Sequence, residues 1–328
     1  MNARTPITSP RVGSVGPPPL TRRRAAQTAQ RVTRGTRLAD VLGVGPPLVL
    51  FCLFIIIPMI VAVVLSFVRW NGLGTPQWVG GANWAQFFHD PVARTSVVVT
   101  GKVIVLSYLV QTPISMALGL FTAGRQRYRS VYATIFVLPL LMSTAGIALM
   151  WESMLDPSFG ALTALSKSAH LAFLDQNWLG NPRLTLYVVV AVIAWQFIPF
   201  HTLLYAVGRR QIPAVLYEAA TLDGARPGQL FWRITLPQLR YTIVTSGILM
   251  IVGALTYFDI IYIMTDGGPG YGTRVLSLDM YDMAFLQDQY GYASVLAVIL
   301  GAVGIAIAVA LVRFTGFASM ASQREGAA

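Results

Sequence analysis

Six long apolar stretches divide the chain, at roughly 44–68, 97–121, 131–151, 184–208, 240–265 and 292–314, and most charged side chains fall in the segments between them. A helix needs about 20 apolar residues to cross the hydrocarbon core of a membrane. Each stretch is long enough, and each is expected to be a helix, because an isolated strand leaves its backbone groups unsatisfied in lipid. Pro46, Pro47 and Pro58 lie in the first stretch and predict an irregular start and a kink in its middle. Small residues such as Gly253, Ala254, Gly301, Ala302 and Gly304 recur along the spans and suit close helix packing.

One polar interval has a pattern of its own. Residues 209–240 read RRQIPAVLYEAATLDGARPGQLFWRITLPQLR, too apolar and too well punctuated for a linker. Pro213 suits a helix start, and Val215, Leu216, Ala219 and Leu222 recur at helical spacing over 214–222. Asp223 and Gly224 then signal a turn, with Gly224 at positive φ, and Pro227 permits a second helix. This predicts a helix, a turn and a helix. By pattern alone, the first helix suits either a partner's cleft or the membrane surface.

Composition fixes the class. Of 328 residues, 55% are hydrophobic and 11% charged, against about a quarter charged in soluble domains. The net charge of +11 sits between apolar runs rather than on one polar face, which argues against a nucleic-acid partner and makes charge a marker of orientation. Positively charged short loops stay in the cytoplasm. One side of the six spans carries 18 Arg and Lys, with Arg125, Arg127, Arg129, Arg209, Arg210, Arg226, Arg233 and Arg240 among them, and the other carries six. Both termini are therefore expected in the cytoplasm. Trp70, Trp78, Trp151 and Trp178 on the other side suit an interfacial belt. Eight arginines with Pro17 to Pro19 and no apolar core make residues 1–40 an expected disordered basic tail. A six-helix transmembrane domain is expected over 41–318 and a short cytoplasmic tail over 319–328. Cys52 is the only cysteine, so no intramolecular disulfide and no cysteine metal cluster is expected.

Within 209–240, Glu218-Ala219-Ala220, Asp223-Gly224-Ala225, Phe231, Ile234, Leu236 and Pro237 closely resemble the EAA loop, EAAxxDGAxxxxxFxxIxLP, of binding-protein-dependent ABC importer permeases, with all ten signature positions present. Further segments resemble the carbohydrate-uptake branch, of the maltose and glycerol-phosphate type. These are Trp78-Val79-Gly80 with Asn83, Asn177-Trp178-Leu179-Gly180, Trp195-Gln196 with Pro199-Phe200, and Phe258 to Thr265 followed by Gly267-Gly268-Pro269 and Thr273. The resemblance runs from about residue 45 to 315. It implies an all-α membrane protein with six transmembrane helices in the type I, MetI-like importer fold. It further implies a second homologous permease, two ATPase subunits and an extracytoplasmic solute-binding protein as partners, and the bacterial cytoplasmic membrane as location. The loop would then dock on the ATPase through Glu218 to Gly224.

Several rival classes lose support. ATP hydrolysis by the chain itself would need a phosphate loop, GxxxxGK[ST], and neither lysine, Lys102 nor Lys167, sits in one. His89, His170 and His201 are scattered, without metal-binding spacing, so no catalytic residue, metal or cofactor is expected. An ion-coupled carrier or channel is the remaining alternative, and it would want carboxylates within its spans. Asp259 alone comes close. With Tyr257, and with Trp195 and Gln196 in the fourth span, it is a candidate contact for a sugar, carboxylate to hydroxyl and ring to apolar face.

Overall fold

The computed structural model describes residues 43–124 and 127–314. The expected tails 1–40 and 319–328, and Arg125, lie outside the described residues. Met1–Ile60 and Val61–Ala328 are separate units. The described part of the first, 43–60, is helical with largely exposed side chains. Its helix α1 runs over Gly43–Leu65. In place of a sharp kink at Pro58, α1 widens over Cys52–Ile56, where the Ile57 N–H donates to the Cys52 carbonyl, five residues back. A helical proline removes one bond and crowds the carbonyl four residues before it, and one extra residue in the turn relieves both.

The second unit opens with a short antiparallel ribbon, β1 (Val68–Arg69) on β2 (Gln77–Trp78), and the helix α2 (Ala82–His89). Asp90 then caps α3 (Pro91–Thr122) by accepting from the Val92 and Ala93 N–H groups. There follow α4 (Arg127–Leu141), α5 (Thr144–Met154), α6 (Ala161–Ala169), α7 (Thr185–Arg210) and α8 (Ala214–Leu222). After them come α9 (Pro227–Gln238), α10 (Arg240–Leu255), α11 (Asp259–Thr265), α12 (Leu276–Tyr281, widened to Leu286) and α13 (Tyr290–Phe314).

Among the described residues, α1, α3, α7 and α13 are each long and apolar enough to span, and two bent pairs supply the other two expected spans. The third, expected unbroken over 131–151, is broken between Leu141 and Thr144, with its legs at 99°. Pro139 gives no N–H to the helix, and Ser143 turns to extended backbone two residues after α4 ends. The fifth, expected over 240–265, starts earlier and ends sooner: α9 and α10 meet at 63°, and the helix stops at Leu255. Thr256 leaves helical geometry, its hydroxyl donating to the Gly253 carbonyl. In α9 the N–H of Leu236, just before Pro237, donates to the Phe231 carbonyl, the same device as at Pro58.

The core of the second unit gathers Val99 and Val103 of α3, Ile147 of α5, Val189 and Ile193 of α7, and Ile260 and Ile261 of α11. A second cluster joins Phe87, Ala93, Leu276, Tyr292, Val295 and Leu296. Gly119 lets α3 and α7 touch: a Cβ there would meet the Tyr205 Cβ at 2.5 Å and the Thr202 carbonyl at 2.9 Å. The outward faces keep large apolar side chains exposed, among them Val98, Leu109, Ile135, Leu138 and Leu149, as a surface solvated by lipid requires. Between α11 and α13, Arg274 bridges Asp279 at 2.8 Å and Asp282 at 2.6 Å, all three buried. Burial works against the charge of Arg274, but hydrogen bonding and attraction to the two carboxylates prevail and raise its pKa above the ordinary value.

Candidate functional site, an exposed loop and a cavity

The segment between α7 and α10 folds as a helix, a turn and a helix. None of the side chains of α8 is buried, and Val215 and Leu222 are 68% and 90% exposed. Glu218, Ala219, Asp223, Gly224 and Pro237 are exposed, while Ala220 and Ala225 are half-buried. Gly224 takes φ +77, the left-handed conformation that ends a helix. Around it the Ala225 N–H donates to the Ala220 carbonyl at 2.9 Å and the Gly224 N–H to the Thr221 carbonyl at 3.0 Å. Those two bonds close the last turn in a Schellman arrangement. Arg226 then opens α9, its N–H donating to the Gln229 side chain at 2.8 Å.

Tyr217 ties α8 to the bundle. Its hydroxyl lies 2.9 Å from the Thr235 hydroxyl, and the Arg209 guanidinium sits 4.0 Å above its ring. Thr235 is buried and donates to the Leu230 carbonyl. Sequence reading passed over Tyr217; its signal was an aromatic residue on an exposed helix four positions before the turn-side threonine Thr221.

The second feature is a cavity of about 380 Å³ lined by α4, α5, α7, α10 and the Thr256–Ile260 turn. Tyr257 and Asp259 line it. Tyr257 is buried and stacked on Phe197 at 5.2 Å. Asp259 is exposed and begins α11 rather than lying within a continuous fifth span. Gln196 is buried and donates to the hydroxyl of Thr144, itself a wall residue, at 3.2 Å. Trp195 packs edge-on against Trp151, 5.6 Å away, and does not line the cavity. Thus three of the four candidates converge directly or through one partner, and Trp195 stands apart.

His201 also lines the cavity, 3% exposed, with Nδ1 2.9 Å from the Ser246 hydroxyl. The sequence pattern gives it only as one of three scattered histidines without metal-binding spacing, although an ionisable side chain inside an apolar span was the available signal. From His201 a polar seam continues through Thr202 and Tyr205 of α7 and Ser107, Gln111 and Ser115 of α3, all buried. The cavity therefore offers aromatic walls, a carboxylate at its rim and hydroxyl and imidazole groups on one side, a lining suited to a small polar molecule with apolar faces.

Residues 111–317 match the family described as binding-protein-dependent transport system inner membrane component. A probable ABC transporter permease protein of Pyrococcus horikoshii is 34% identical over 260 residues, covering 78% of this chain and 88% of the relative. The trehalose/maltose transport system permease protein of Thermococcus litoralis is 32% identical over 255 residues, covering 77% of this chain and 85% of the relative. The fold is that of a solved bacterial ABC transporter involved in the import of the acidic polysaccharide alginate, with a TM-score of 0.74 and 22% identity over 88% of this chain and 98% of that one.

Proposed function

The chain belongs to the family of binding-protein-dependent transport system inner membrane components, and on that premise we propose that it is one permease half of an ATP-driven importer of a sugar or sugar-like solute. The observation that carries this reading is α8: a helix that opens the EAA pattern with Glu218, Ala219 and Ala220, with no side chain buried, closed by Gly224 and held to the bundle by Tyr217. A helix so exposed and so apolar is an incomplete interface. Its complement is the cleft of a separate ATPase subunit, because the chain carries no phosphate loop of its own.

A physical path leads from that helix to the cavity. Tyr217 grips Thr235 in α9, α9 bends into α10 at 63°, and α10 carries Ser246, Leu249 and Gly253 to the cavity wall and to His201. Movement of α8 on nucleotide binding would be passed along these packed elements to the cavity, opening it alternately to each side of the membrane. A sugar is the cargo that a lining of Tyr257, Asp259 and Thr144, the last held by Gln196, suits, and the trehalose/maltose permease among the relatives supports it. The complex would comprise this chain, a second homologous permease, a pair of ATPases and a solute-binding protein. It would sit in the cytoplasmic membrane with both termini inside.

Reconstitution of that complex in vesicles tests the reading. Uptake that needs ATP and the binding protein, and persists without an ion gradient, is the expected result. Uptake driven by a proton or sodium gradient without ATP would place the chain among carriers instead.

A further inference from the structure

We propose that a ladder of aromatic rings joins the cavity beside Asp259 to a second, polar cavity, and that it serves as a track for successive units of an oligosaccharide. The inference rests on the sugar-permease reading and deepens it by assigning a second saccharide subsite and a preference for chains over single sugars.

The ladder begins at Phe258, which lines the first cavity. Phe258 stacks on Tyr262 at 5.2 Å and 12° and meets Tyr281 at 4.8 Å. Tyr281 meets Phe285 at 5.3 Å, Phe285 meets Tyr290 at 6.3 Å, and Tyr290 meets Trp70 at 5.6 Å. Four separate segments supply these rings: the start of α11, α12 with its widened turn, the start of α13 and the residue after β1. Tyr262 is 37% and Phe285 63% exposed, and Phe258, Tyr281, Tyr290 and Trp70 are half-buried, so none of the six rings is sealed in the core.

At its far end Trp70 lines the second cavity, about 300 Å³, with Asn71, Gln86, Gln287, Asp288 and Gln289. Amides and a carboxylate around an indole can donate to and accept from sugar hydroxyls while the ring takes an apolar sugar face. Gln289 Nε2 donates to Gln287 Oε1 at 3.3 Å, a weak bond that a hydroxyl can replace. An interfacial aromatic belt would explain rings at this level of the chain. It would not require them to contact one another in series, or to end at an amide-rich cavity on one side and a carboxylate-rimmed cavity on the other. The charge pattern assigns this end of the spans to the outside, where a binding protein delivers its sugar.

The test uses the assembled transporter in vesicles and unbranched oligomers of glucose, xylose and N-acetylglucosamine of increasing length. Losing the stacking of one ring is expected to raise KM about 2- to 12-fold for the longer transported oligomers. Tyr281→Leu and Phe285→Leu should show a rise in KM that grows with oligomer length and is smallest for the monomer, and Tyr281→Phe and Phe285→Tyr should restore the wild-type values. If Tyr281→Leu does not assemble, Phe285→Leu carries the test, since its exposed ring contributes little to packing. Unaltered KM for long oligomers in Phe285→Leu would overturn the track while leaving the sugar reading intact. So would efficient cross-linking of a cysteine at position 285 to the second permease, which would show the ladder covered by protein. Absence of ATP-driven uptake of every oligomer by the wild type would instead overturn the sugar reading itself.

Discussion

Replacing Gly224 should uncouple the loop without disturbing the membrane fold. A Cβ added at Gly224 meets nothing within 4 Å, so no steric clash contributes. The penalty is conformational: φ is +77, and an L-residue in that region costs about 1–2 kcal/mol. The cost falls on the two bonds that close α8, Ala225 N–H to Ala220 and Gly224 N–H to Thr221. A loss of about 1.4 kcal/mol lowers the population of the closed turn about tenfold relative to open forms. Because no α8 side chain is buried, the bundle should not register the change. Gly224→Ala is therefore expected to reach the membrane at normal levels and melt like wild type, yet retain less ATPase on purification and transport more slowly. Gly224→Asn should be milder, since Asn tolerates the left-handed region, and Gly224→Val harsher, since its branched Cβ does not. Co-purification and uptake across the series decide it. Equal association and uptake in all three variants would refute the reasoning, as would a fall in thermal stability that tracks the loss of coupling.

Four further outcomes are expected. Tyr217→Phe removes the 2.9 Å bond to Thr235 and keeps the ring under Arg209, so about 1 kcal/mol of anchoring should go, seen as faster hydrogen exchange in α8 and reduced coupling, with Tyr217→Ala worse. Arg274→Met leaves Asp279 and Asp282 buried without their cation and should lower stability by about 3–5 kcal/mol in a detergent melting assay, whereas restoring the balance with Asp279→Leu and Asp282→Leu should recover part of it. Asp259→Asn should alter uptake kinetics and leave assembly intact, and unchanged kinetics would remove Asp259 from the pathway. Cysteines placed at Ser158 and Tyr271 should react with an impermeant reagent in intact cells while one at Gln229 should not, and the reverse pattern would invert the topology.

The helices α1, α7 and α13 were legible within about three residues, because apolar length is a direct reading of what lipid demands. Helix α3 begins at Pro91, before the expected 97, because the Asp90 cap and Pro91 start the helix ahead of its apolar run. The loop was legible for a different reason: Pro213, Gly224 and Pro227 are local backbone commands, and Gly224 obeys its own at φ +77 whatever surrounds it. The two broken spans were not legible, since hydropathy counts side chains and takes no account of backbone direction. Ser143 and Thr256 are no less compatible with a span than their neighbours, and only the packing of α5 and α11 on α7 reveals the turns that they make. Those turns are also what create the cavity. Had α10 run straight to Thr265, Tyr257 and Asp259 would sit on one more apolar helix; because it stops at Leu255, Tyr257 folds onto Phe197 and Asp259 begins a new helix at the rim. His201 shows the same limit from the other side. Its type and depth were visible, but its pairing with Ser246 depends on α7 and α10 lying together, and that contact sits on the route from α8 to the cavity. Irregular backbone inside a membrane is tolerated where protein or a cavity satisfies its polar groups. The breaks at 142–143 and 256–258 therefore mark the place where the chain gives up regular helix for a cavity, and they lie at the end of the path that starts with Tyr217.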